Sequence, residues 1–222
     1  MQTIAGRIDH TLLRQDITSE DIVRLCREAE ECGFYSVMIH PLHIAEAVRE
    51  LTGSRVRIGT VIGFPFGETT SAVKAFEAEQ AVRDGADEVD MVAAVSRIKE
   101  GRYREVTEDI ACVTGAVSVP VKVIVEASLL TPDELVQACK CCIEAGAAFV
   151  KTSTGYFGVG ATAENIRLMK SVCGERIRIK AAGGIRDYES ARALVEAGAD
   201  RLGTSAGVAI AMAERRLAGA KR

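Results

Sequence analysis

Four times along the chain, a stretch of mixed polar and apolar residues runs into a glycine and then directly into a short apolar run. The four are E-E-C-G-F-Y-S-V-M-I (Glu30 to Ile39), R-D-G-A-D-E-V-D-M-V (Arg83 to Val92), E-A-G-A-A-F-V-K (Glu144 to Lys151) and E-A-G-A-D-R-L-G (Glu196 to Gly203). A glycine in that place suits the residue just past a helix, where the left-handed backbone carries no steric cost without a Cβ. Helix starts are marked as well. Thr131-Pro132-Asp133-Glu134 reads as an N-cap, a first-turn proline and a capping-box acid, and Thr18, Thr162 and Asp187 stand ready to cap helices that follow them. Between these signals lie eight strand-length apolar runs, near Ile8 and over residues 36–39, 57–62, 88–92, 121–125, 149–152, 177–181 and 201–203. Alternating helix and strand predicts a parallel sheet, and eight such units in one domain over residues 1–222 predict an α/β fold closed into a (β/α)8 TIM barrel. An open, doubly wound sheet is the alternative this pattern leaves.

Composition narrows the picture. Aromatic residues are 5% of the chain and tryptophan is absent, so Ala, Val, Ile and Leu have to build the core, as strands buried on both faces require. The formal net charge of −3 comes from well-mixed signs, which argues against nucleic acid as a partner. The apolar runs are too short to span a membrane, and Met1 to Arg7 lacks the basic and apolar regions of a secretory leader. A cytoplasmic protein is therefore expected. The seven cysteines match no zinc spacing, and Cys139, Cys141 and Cys142 fall within one helix, so reduced thiols rather than a metal or disulfide are expected.

In such a barrel the chemistry belongs at the C-terminal ends of the strands. Asp9 and Thr11, His40, Asp90, Glu126, Lys151 and Lys180 fall there. Lys151, in F-V-K-T-S-T-G, is a lysine in an apolar strand. Desolvation disfavours its ammonium, lowers its pKa and frees the lone pair that attacks a carbonyl. Lys180, in I-R-I-K-A-A-G-G, puts a second cation on the adjacent strand and depresses that pKa further. Asp90 lies at an equivalent depth, placed to relay a proton through a water molecule. Lys122 lies earlier in its strand and closer to the barrel middle, and reads as structural or as a support behind the reacting groups. Phosphate recognition is the second signal. Gly183, Gly184 and Arg186 leave the seventh strand, Gly203 and Ser205 the eighth, and Thr154-Gly155 the sixth. Backbone N–H groups there can form an anion nest. His40 and His43 lack a third metal ligand, His10 is expected to bond locally, and Gly63 to Gly67 reads as a lid or turn at the barrel mouth. The residues alone leave three readings open: a Schiff-base aldolase, a phosphosugar enzyme of another type such as an isomerase with Lys151 as an electrostatic clamp, and a non-catalytic phosphosugar binder.

Six motifs together resemble the deoxyribose-phosphate aldolase family: I-D-H-T-L-L (Ile8 to Leu13), V-I-G-F-P-F-G (Val61 to Gly67), D-E-V-D-M-V (Asp87 to Val92), V-K-T-S-T-G (Val150 to Gly155), K-A-A-G-G-I-R (Lys180 to Arg186) and L-G-T-S (Leu202 to Ser205). The likeness implies reversible cleavage of 2-deoxy-D-ribose 5-phosphate to acetaldehyde and D-glyceraldehyde 3-phosphate, without metal or organic cofactor. It implies a Schiff base on Lys151, tuned by Lys180, with Asp90 in proton transfer. It also implies sugar-hydroxyl contacts from Asp9 and Thr11, and a phosphate cradle of Gly155, Gly183, Gly184, Arg186, Gly203 and Ser205. Small phosphosugars and aldehydes are then the partners, and assembly as a homodimer or homotetramer stays open. The chain departs from the family at Met38, where many members carry a cysteine, at His40 and at Ala206. Its last residues, Leu217 to Arg222, lack the terminal tyrosine some members use.

Overall fold

The structure, a computed structural model, describes residues 3–219. The readings of Met1–Arg7 and Leu217–Arg222 fall in part on residues outside that range. The strands are β1 (Ile8–Thr11), β2 (Ser36–Ile39), β3 (Arg57–Ile62), β4 (Glu88–Val92), β5 (Val121–Ile124), β6 (Phe149–Lys151), β7 (Arg178–Ala182) and β8 (Arg201–Thr204). Each pairs in parallel with the next, and β8 pairs back onto β1 through Leu202 and Ile8, Gly203 and Asp9, and Thr204 and His10. That last pairing closes the barrel and removes the open-sheet alternative. Every strand falls within a residue or two of the run predicted for it.

The helices are α1 (Ser19–Cys32), α2 (Ile44–Glu50), α3 (Ser71–Arg83), α4 (Val95–Lys99), α5 (Tyr103–Ala116), α6 (Pro132–Glu144), α7 (Ala163–Cys173), α8 (Tyr188–Glu196) and α9 (Gly207–Gly219). The caps act as their sequence suggests. Thr18, Thr131 and Asp187 each close a capping box, and the Thr162 side chain accepts from the Asn165 amide. Such caps are worth about 1 kcal/mol each. Gly33 ends α1 at φ 72°, and Gly85, Gly146 and Gly198 also take positive φ after α3, α6 and α8. Buried Ile, Val, Leu and Ala side chains fill the layer between strands and helices. Cys139, Cys141, Cys142 and Cys173 are buried free thiols, the first three on α6 and the last on α7.

One buried contact had no expectation behind it. Lys74 of α3 is fully buried and donates to Asp109 of α5 at 2.7 Å. The Lys74 stem lies against Gly63, and Glu77 accepts the Gly63 amide at 2.7 Å. These contacts fix the base of the Gly63–Gly67 turn, which carries a cis Phe64–Pro65 bond and brings Phe64 to the barrel mouth.

Candidate active site

Strand register assembles the site. Lys151 on β6 lies directly beside Lys180 on β7, and Asp90 on β4 directly beside Lys122 on β5. Both Lys151 and Lys180 donate Nζ to a single oxygen, Asp90 Oδ2, at 2.8 Å each. The other oxygen, Oδ1, accepts from Lys122 at 2.7 Å. Asp90 therefore contacts both lysine amines directly.

Below this point the charges form a closed ring. Lys122 bridges Asp90 and Glu88, the latter at 2.9 Å. Arg201 bridges Glu88 at 3.1 Å and Asp9 at 2.8 Å. Asp9 pairs with Lys180, and Lys180 returns to Asp90. Three carboxylates thus alternate with three cations, and all six side chains are buried. Ser36 Oγ adds a hydrogen bond to Asp9 at 2.7 Å, and the Arg201 guanidinium stacks 3.3 Å from the centre of the Tyr35 ring. Single buried charges are costly, but a ring in which each charge has two opposite neighbours offsets that cost.

Lys151 hangs on this ring as a seventh group, and its environment works against its charge. Burial, reinforced by the ammoniums of Lys180 and Lys122 and opposed by Asp90, brings its pKa from 10.5 down to about 8. At pH 7 about one amine in eleven is then free base, against roughly three in ten thousand for an ordinary lysine. Burial alone would raise the Asp90 carboxyl, but the ammoniums of Lys122, Lys151 and Lys180 hold it well below the usual carboxylate range. Asp9 is likewise lowered, because Lys180, Lys122 and Arg201 outweigh its burial. For Lys122 burial is outweighed by Asp90, Asp9 and Glu88, so its pKa rises.

Above Lys151 opens a cavity of about 720 Å³ at the C-terminal end of the barrel. Thr11, Gly155, Gly183, Gly184, Arg186, Gly203 and Ser205 line it together with Lys151. Gly203 has a specific reason to lack a side chain, since a Cβ there would sit 3.1 Å from Lys180 Cε. Asp9 lies apart from these lining residues. It is fully buried, binds Lys180, Arg201 and Ser36, and does not line the cavity. The sequence placed it near the sugar hydroxyls; in the structure it anchors Lys180 and Arg201, because two cations lie within its reach.

A strap crosses the cavity mouth. Glu126, after β5 at φ 50°, accepts the Thr154 amide at 3.1 Å and the Thr154 hydroxyl at 2.6 Å. Thr154 Oγ1 in turn accepts the Tyr156 amide at 3.1 Å, and the Tyr156 phenol donates to the Leu13 carbonyl at 2.5 Å. His40 Nε2 lies 2.8 Å from the same carbonyl, so this histidine braces the β1 loop. Phe64 meets the Tyr156 ring edge-on at 5.3 Å. Met38 is fully buried with Leu13 and Val61 in a small apolar cluster under Phe64. His10 is buried with Nε2 2.8 Å from Glu28 of α1, a partner 18 residues along the chain where a local bond was expected.

Glu88, Arg201 and Tyr156 were not anticipated. Glu88 and Asp90 are two residues apart on β4, which puts both on one face of the strand, and that spacing was a readable signal. Arg201 stands two residues before Gly203 in the same way. Tyr156 sits in a loop with no period to read.

The comparisons with known proteins agree with this arrangement. The model of the DeoC/LacD family of aldolases matches residues 3–213. The deoxyribose-phosphate aldolase of Carboxydothermus hydrogenoformans is 51% identical over 93% of both chains, and that of Halalkalibacterium halodurans 49% identical over 96% of this chain and 97% of its own. Among solved structures, an aldolase designated QR15 superposes with a TM-score of 0.93 at 41% identity, covering 98% of this chain and 99% of its own. The tetrameric deoxyribose phosphate aldolase of Aeropyrum pernix superposes with a TM-score of 0.87 at 35% identity, covering 96% and 92%. A barrel with paired lysines under a glycine-lined mouth, matched at this identity along nearly its whole length, belongs to the DeoC/LacD family of aldolases and within it to the deoxyribose-phosphate aldolases.

Proposed function

We propose that the chain cleaves 2-deoxy-D-ribose 5-phosphate reversibly to acetaldehyde and D-glyceraldehyde 3-phosphate, with Lys151 as the Schiff-base nucleophile. The observation that carries this reading is the position of Lys151, whose amine meets Asp90 beside Lys180 at the floor of the glycine-lined cavity. Its free-base nitrogen attacks the aldehyde carbon of the open-chain sugar, and loss of water leaves an iminium. The iminium draws in the electron pair of the C2–C3 bond as the 3-hydroxyl gives up its proton, which releases glyceraldehyde 3-phosphate. The remaining enamine takes a proton at C2, and hydrolysis returns acetaldehyde and the amine. Asp90, in contact with both Lys151 and Lys180, is the group through which protons pass to and from the nitrogen. Gly155, Gly183, Gly184, Arg186, Gly203 and Ser205 hold the phosphate, and Thr11 faces the sugar.

Free thiols support a cytoplasmic enzyme, and no described helix is long and apolar enough to cross a membrane. Self-association as a homodimer or homotetramer belongs to the same proposal; exposed Val73 and Phe76 on α3 support it, and light scattering tests it. The chemistry is tested by incubation with acetaldehyde and borohydride followed by peptide mapping. An ethyl group fixed on Lys151 is the expected result. Turnover without any label on Lys151 would overturn the mechanism.

A further inference from the structure

We propose that Glu88 and Arg201, neither of which lines the cavity, are positioning residues that balance the charge of the barrel interior so that the Lys151 amine holds a proton less tightly than an ordinary lysine does. This inference rests on Lys151 being the nucleophile.

The argument is one of geometry and charge. The ring of Asp90, Lys122, Glu88, Arg201, Asp9 and Lys180 contains three anions and three cations in strict alternation, each bridged to the next. It is neutral before Lys151 is considered. A proton on Lys151 therefore adds an uncompensated charge to a buried cluster, which the low-dielectric interior penalises. Were the ring one cation short, the same proton would restore neutrality and be favoured. Were it one anion short, the proton would meet a net positive ring and be opposed more strongly.

Glu88 and Arg201 are the pair through which this balance can be altered without touching the reacting centre. Lys151 faces Asp90 from β4, Lys122 from β5 and Lys180 from β7, and shares its cavity with Arg14 and Arg186. Glu88 and Arg201 reach Lys151 only through Lys122, Asp9, Asp90 and Lys180. Both are almost wholly buried, so solvent does little to screen them. Arg201 is also held in place by Tyr35 and by Phe149, whose ring centre lies 5.3 Å from the guanidinium. A residue kept only for packing would not need its charge matched across the barrel.

The test measures the pH dependence of acetaldehyde fixation on Lys151. The amine lone pair attacks the carbonyl carbon, water leaves, and hydride from cyanoborohydride adds to the iminium carbon to give a stable N-ethyl lysine. The rate is followed by peptide mass in folded wild type and in Arg201→Gln, Glu88→Gln, the double variant and Arg201→Lys. Arg201→Gln is expected to move the midpoint upward by about one pH unit, and Glu88→Gln downward by a similar amount. The double variant, neutral again, is expected to return to the wild-type midpoint, and Arg201→Lys to leave it unchanged. Single-variant midpoints that stay put or move in the same direction overturn the inference. So does a double variant that fails to return. If Arg201→Gln does not fold, Glu88→Gln and the double variant decide the question alone. Wild type that takes no label at Lys151 instead defeats the nucleophile assignment, so the two failures are distinguishable.

Discussion

Lys151 and Lys180 lie side by side on β6 and β7 and donate to the same carboxylate oxygen of Asp90, each at 2.8 Å. One oxygen therefore serves two amines. Only Lys151 lines the cavity, and Lys180 is fully buried behind it. Under the proposed mechanism the arrangement divides the work: the member that reaches the cavity reacts while the one behind it supplies the field.

Replacing Lys180 with leucine removes that field. With the neighbouring ammonium gone, Lys151 takes up a proton more readily, so the acid limb of the rate profile moves to higher pH. Each unit of upward shift costs tenfold in free amine near neutrality, and turnover at pH 7 is expected to fall at least about tenfold. A pH–rate profile checks this, and an unmoved acid limb would refute the tuning role.

Lys151→Met should trade activity for stability. The native pKa of Lys151, about 8, lies below its ordinary value of 10.5. The unfolded chain therefore binds the proton more tightly than the fold does, and the fold carries that cost in full below pH 8. The cost fades as pH rises toward 10.5. At pH 7 the variant is expected to gain up to about 3 kcal/mol, seen as a Tm several degrees higher, with turnover abolished. The gain should shrink above pH 10. Thermal melts at pH 7 and pH 10 test both statements.

Gly203→Val should damage catalysis from the neighbouring strand. Its Cβ would lie 3.1 Å from Lys180 Cε and 3.1 Å from the Ala182 Cβ. The branched side chain pushes the lysine stem aside and loosens its hold on Asp90. A displacement on the scale of an ångström costs about 100-fold in rate, so kcat is expected to fall by that order, and Gly203→Ala by less. Steady-state kinetics on both variants provide the measurement.

Tyr156→Phe tests the strap. The ring and its contact with Phe64 survive, while the bond to the Leu13 carbonyl is lost. A neutral hydrogen bond is worth about 1 kcal/mol net, so KM for the phosphosugar is expected to rise about fivefold with kcat little changed. Trapping of acetaldehyde on Lys151 should proceed as in wild type. A kcat that collapses instead would give the phenol a part in the chemistry.

The barrel was legible because parallel strands buried on both faces write themselves as short apolar runs, and because glycine and threonine mark the helix ends. Lys151, Lys180 and Asp90 were legible because a charge inside an apolar strand is conspicuous. Asp9 was expected after the first strand but is the second residue of β1, and its partners were not foreseeable. Which cation it meets depends on closure between β1 and β8, a relationship 192 residues apart along the chain. Glu88 and Arg201 escaped for the same reason, since their meaning lies in each other. Tyr156 reaches Leu13 across 143 residues from an irregular loop, and no local pattern announces such a contact.

Closure of the barrel has a consequence for the order in which the enzyme comes into being. Asp9 arrives with the first strand, while Arg201, which it must meet, arrives with the last. A truncated chain lacking β8 has Lys180 and Asp9 but no Arg201 to complete the ring of charges. On the charge balance proposed above, such a chain holds the Lys151 proton more tightly, and full reactivity toward aldehydes is expected only once β8 is seated.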